Sequence, residues 1–113
     1  MPFINTKTNM SISKEKEESV KNKLGKAISI IGKSESWLMV NFEDNSRMYF
    51  KGDNASPMAF VSVDLYGRVS SSSYNSLTSE ITSILNEELS IEPDKIYVKY
   101  SEIENWGWNG NNF

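Results

Sequence analysis

The chain has 113 residues, with 12 Lys and Arg against 15 Asp and Glu and neither Cys nor His. That length supports one hydrophobic core and not two conventional domains, so a single domain over residues 1–113 is expected. Without thiols or imidazoles the chain cannot form disulfides, thiolate nucleophiles, Ser-His-Asp triads or nearly any zinc site, and without a basic excess it does not suit a nucleic-acid partner.

The opening segment MPFINTKTNM has no basic stretch followed by an apolar run, and no segment approaches the ~20 apolar residues that span a bilayer. The expected product is soluble and cytoplasmic, with no membrane partner. Export without a signal peptide leaves no mark in a sequence, so a secreted form is compatible with the same residues.

Residues 3–8 (FINTKT) read as a short strand. Ser13 ahead of Glu15, Glu17 and Glu18 is an N-cap followed by acids at a helix's positive end. The apolar stripe Val20, Leu24, Ala27, Ile28 and Ile31 continues that helix to Gly32, a C-terminal stop. Trp37 to Phe42 then reads as a strand. The second half repeats the order: a strand from Met58 to Leu65, a helical stripe of Leu77, Ile81, Ile84, Leu85 and Leu89, a block at Pro93, and a strand from Lys95 to Tyr100. Two β-α-β units with right-handed crossovers predict an α+β fold, a four-stranded mixed sheet with both helices on one face. Met48 to Phe50 and Trp106 to Trp108 are read as short edge strands.

Alternation along the third strand gives one apolar set, Ala59, Val61, Val63 and Leu65, and one mixed set, Phe60, Ser62, Asp64 and Tyr66. Tyr97 and Lys99 extend the mixed set. Aromatic residues beside charges on an open face are the pattern that a cyclic oligomer covers.

Met1-Pro2 at the first strand, Gly32-Lys33 closing the first helix, Pro57 with Gly67 after its strand, Pro93-Asp94-Lys95-Ile96-Tyr97 before the last long strand, and Gly107-Trp108-Asn109 with Phe113 form an ordered series. In order and spacing it resembles the macrophage migration inhibitory factor family along essentially the whole chain. The resemblance implies a homotrimer with three sites at the subunit boundaries and keto–enol tautomerase activity, an isomerase of the phenylpyruvate or dopachrome type needing no cofactor or metal. The substrate would be a small α-keto acid or its enol.

Such chemistry needs a base near neutral pKa and a group that stabilises an enolate oxygen. With no His present, the amine of Pro2, freed by removal of Met1, is the expected catalytic base. An α-amine titrates near ~8, and burial near Phe3, Trp108 and Phe113 beside the cation of Lys33 would lower it. By the resemblance, Lys33 binds the substrate's carboxylate or carbonyl, and the backbone N–H of Tyr66, which stands where the family has Ile, donates to the substrate. Tyr97 and Lys99 come from the neighbouring subunit, Lys99 replacing an Asn, while Trp108 and Phe113 wall the pocket together with Trp37 and Trp106. The Cys-x-x-Cys pair of some relatives is replaced by Met58 and Val61, which removes thiol oxidoreductase chemistry. The rival reading is a cytokine-like signalling protein that binds a receptor, with the tautomerase site vestigial.

Overall fold

A computed structural model describes residues 1–113. The chain opens with strand β1 (Pro2–Thr8), whose inward residues Ile4, Thr6 and Thr8 are buried. Ser13 then caps α1 (Lys14–Ala27), its side chain accepting from Lys16 N–H at 3.2 Å, with Glu15 and Glu17 in the first turn. The α-helix ends earlier than the apolar stripe suggests. Ile28–Ile31 tightens into a 3₁₀ turn, and Gly32 closes it at φ 73°, a left-handed backbone that costs a residue without Cβ least.

Residues Glu35–Trp37 form a second 3₁₀ turn, so the expected strand from Trp37 is corrected to β2 (Met39–Glu43). Ser34 caps that turn through Ser36 N–H, and this local competition displaces the strand start. Strand β3 (Ala59–Tyr66) leads to α2 (Ser71–Leu89), capped by Ser70. A turn at Pro93–Lys95 precedes β4 (Ile96–Ile103).

The sheet order is β2-β1-β3-β4, with β1 parallel to β2, antiparallel to β3, and β3 parallel to β4. These are two β-α-β units joined at their first strands. Val20, Leu24, Ile28 and Ile31 from the first unit meet Leu77, Ile81, Ile84 and Leu85 from the second over Val61, Val63 and Leu65, in one core cluster of 16 residues. Lys23 Nζ links the exposed helix surfaces through Glu88 Oε1 at 2.8 Å. No helix is long and apolar enough to cross a membrane.

Both short edge strands are corrected. Met48 to Phe50 does not join the sheet and makes only the isolated bridge of Phe50 with Asp53. Around Trp106 to Trp108 only Gly107–Trp108 is extended; as β5 it pairs with β6 (Asn111–Asn112) in a separate hairpin. Asn109 and Gly110, at φ 54° and 84°, form its two-residue loop. An Asn-Gly pair suits this turn because both positions need left-handed backbone.

Candidate active site

The parallel register sets Phe3 beside Met39, and the antiparallel register sets Pro2 opposite Leu65. The start of β1, the residues before β2 and the end of β3 therefore meet at one corner of the sheet. A groove of about 520 Å³ lies there, lined by Met1, Pro2, Phe3, Trp37, Met39 and Trp108 among others. Trp37 and Trp108 meet edge to face, centroids 4.9 Å apart at 89°, an arrangement that aligns a ring's positive edge with a negative face.

Tyr66 ends β3 at the same corner. Its N–H donates to the carbonyl oxygen of Met1 at 3.2 Å, and its own carbonyl accepts from Lys33 Nζ at 2.8 Å. Lys33 follows the left-handed Gly32, and that turn carries its side chain away from the α1 axis to the end of β3. One of the three ammonium donors is used by this bond. The α-amine of Met1 is held below its ordinary value, by burial first and by the charge of Lys33 second.

Phe113 stacks obliquely on Tyr66, centroids 5.3 Å apart, and donates its N–H to Trp106 O at 3.0 Å. Pro2, Lys33, Tyr66, Trp108 and Phe113 are thus gathered at one corner. Tyr97 and Lys99 are not. They lie on β4, the strand beyond β3, opposite Phe60 and Ser62 of β3. Strand spacings put Tyr97 roughly 19 Å and Lys99 roughly 14 Å from Pro2 of the same chain, beyond side-chain reach. Tyr97, 58% exposed, packs against Phe50 and Phe60 at 5.1 and 6.3 Å, and Lys99 Nζ lies 5.9 Å over the Phe60 ring.

Sequence reasoning missed two contributors. Met39, 67% exposed, joins the groove only through its register with Phe3, which no periodicity announces. The carbonyl of Tyr66 as the anchor of Lys33 is a backbone atom, and its position depends on the fold alone.

A four-stranded sheet with paired β-α-β units, and a corner that assembles the chain start, a helix-end lysine and a strand-end amide, define the class. The family model of macrophage migration inhibitory factor (MIF) matches residues 1–113, and the chain belongs to that family. The crystal structure of Leishmania major MIF2 superposes with a TM-score of 0.94 at 32% identity, covering 100% of this chain and 97% of that one. Macrophage migration inhibitory factor of Meriones unguiculatus is 26% identical over 115 residues, and that of Xenopus laevis 24%; each alignment covers 100% of this chain and 99% of the relative.

Proposed function

We propose that the chain is a keto–enol tautomerase for arylpyruvate-type α-keto acids, acting as a homotrimer with the amine of Pro2 as general base. The observation that carries this reading is the position of the Met1 carbonyl oxygen, bonded to Tyr66 N–H beside Lys33. That oxygen belongs to the acyl group on Pro2 nitrogen. It marks where an acceptor oxygen of a ligand would sit once Met1 is excised.

Excision would do two things at once. It would turn Pro2 nitrogen from an amide without basic lone pair into a secondary amine, and it would free the Tyr66 N–H. The amine would then take a proton from the carbon next to the keto group, and the electron pair would move to the keto oxygen. Tyr66 N–H and the remaining Lys33 donors would stabilise that enolate. The prolyl ammonium would return the proton to oxygen, which completes the isomerisation with no net change in protons. Burial and the Lys33 cation, which depress the Met1 amine, would act on a Pro2 amine in the same sense.

Tyr97 and Lys99 reach such a site only from a neighbouring copy, since their own Pro2 lies out of range. A threefold arrangement gives every site one such neighbour. Tyr97 would then close the groove, and Lys99 would face a second acidic group of the ligand.

The decisive experiment inserts Ala between Met1 and Pro2, so that processing leaves Pro2 nitrogen acylated. Phenylpyruvate turnover is expected to vanish while the oligomer persists by sedimentation. Mature protein is expected to lose kcat/KM as pH falls through the amine pKa, below the ~8 of an ordinary α-amine, because only the neutral nitrogen accepts a proton. Turnover by the inserted variant at the mature rate overturns the base assignment.

A further inference from the structure

Tyr66 has a side chain whose consequence differs from that of its backbone. Strand alternation turns it to the open face of the sheet with Phe60, Ser62 and Asp64. There its ring meets Phe113, at 5.3 Å and 43° between planes. Phe113 in turn is bonded to Trp106 O across the base of the β5-β6 hairpin.

That hairpin forms no ladder with the main sheet, and residues 107–113 are exposed throughout. A two-stranded ribbon is marginal in water by itself. Its aromatic attachments to the body are Trp108 on Trp37 and Phe113 on Tyr66. The hairpin is therefore pinned at two points, one beside the groove wall and one at the end of β3.

The backbone and the side chain of Tyr66 meet different cavities. Its N–H meets Met1, which lines the apolar groove, while Tyr66 itself lines a separate groove of about 390 Å³ with Arg68, Glu102 and Glu104. A small aliphatic side chain at this position would leave Phe113 without its ring partner. It would also loosen the hairpin whose Gly107 and Trp108 line the apolar groove.

We infer that Tyr66 is a specificity-determining residue, whose side chain clasps Phe113, holds the hairpin over the groove, and limits the keto acid to one flat aryl substituent. The inference rests on the tautomerase reading for its substrate class and on the geometry alone for the clasp. It predicts that acids extended beyond one ring are disfavoured by the clasp and not by the chemistry at Pro2.

The test compares mature protein with Tyr66→Ile and Tyr66→Phe, using phenylpyruvate and its para-phenyl-extended analogue. Tyr66→Ile is expected to shift the ratio of kcat/KM severalfold toward the longer acid, mainly through KM, and Tyr66→Phe to keep the original ratio. Equal losses on both acids would assign Tyr66 to folding and overturn the inference. Hydrogen exchange supplies a readout independent of turnover. Amides of Asn111 and Phe113, which close the ladder on Trp108 and Trp106, are expected to exchange about two- to tenfold faster in Tyr66→Ile, the range one aromatic pair contributes, and unchanged in Tyr66→Phe. Unaltered exchange in Tyr66→Ile overturns the clasp. If the mature protein leaves phenylpyruvate untouched, the tautomerase reading fails by itself, and exchange still decides the clasp.

Discussion

Lys33 illustrates how a single residue is committed by its neighbours. A lysine after a helix complements the C-terminal dipole in most proteins, yet here its ammonium donates to Tyr66 O at the far side of the sheet corner. Lys33→Ala is expected to lower kcat/KM for an α-keto acid about ten- to a hundredfold, as loss of a charge-assisted hydrogen bond does. The loss should fall mainly on KM, because the ammonium would hold the carboxylate in ground and transition states alike. Unchanged kinetics would confine Lys33 to its contact with Tyr66. Thr6 is the opposite case, a hydroxyl buried at 1% exposure whose Oγ1 finds no hydrogen-bond partner. Replacing it by Val removes an unpaired polar group, and the Tm is expected to rise by roughly 4 °C for about 1 kcal/mol. A calorimetric scan showing a lower Tm would mean that the hydroxyl is satisfied by an ordered water.

At the scale of elements, the start of α2 and the end of β4 are knotted by two tyrosines and an acid. Tyr74 O–H donates to Glu102 Oε2 at 2.7 Å, Tyr100 O–H to Tyr74 O at 3.1 Å, and the rings lie 4.4 Å apart. The Tyr74 phenol is pushed up to about 12, by burial first and then by its bond to Glu102. The Glu102 carboxyl is lowered, chiefly by the same hydrogen bond and then by Val69 N–H. The raised phenol stabilises the fold fully below its ordinary value of 10.0, and that contribution is lost as pH climbs through about 12. The depressed carboxyl acts in the other direction, its contribution disappearing as acid protonates it. Denaturant midpoints measured across the alkaline range are expected to fall over that window, and Tyr74→Phe to flatten the fall. An alkaline limb of equal slope in Tyr74→Phe would dissociate the knot from the pH dependence.

For the whole molecule, the open sheet face poses the question of assembly. Met39 at 67% on β2 and Tyr97 at 58% on β4 are large apolar side chains on the two edge strands that a lone chain leaves in water. Sedimentation is expected to give a mass of three chains; a stable single chain at micromolar concentration would remove Tyr97 and Lys99 from the site. Complementation makes a sharper prediction. Mixed trimers of the Ala-inserted variant and Tyr97→Ala, each nearly inactive, should regain sites in about one quarter of positions by random pairing of neighbours. Absence of any regain would show that Pro2 and Tyr97 do not share a site across subunits.

The sequence by itself determined the two β-α-β units and their core. Helical spacing at Val20 to Ile31 and Leu77 to Leu89, alternation at Ala59 to Leu65, and caps at Ser13, Gly32 and Pro93 are local patterns, and the hydrophobic effect makes them binding. The ordered matches from Pro2 to Phe113 were likewise legible, because spacing survives where identity has drifted. Tertiary structure alone decided the rest. The Glu35–Trp37 turn, set by the Ser34 cap, and the Asn109-Gly110 turn of the short hairpin are exceptions, local signals that the strand reading passed over. Register brought Met39 to the groove, and the fold brought Lys33 to Tyr66 O. The separation of Tyr97 and Lys99 from Pro2 is a property of strand order, β4 lying two strands from β1, and strand order is set by how two units dock rather than by any residue within them.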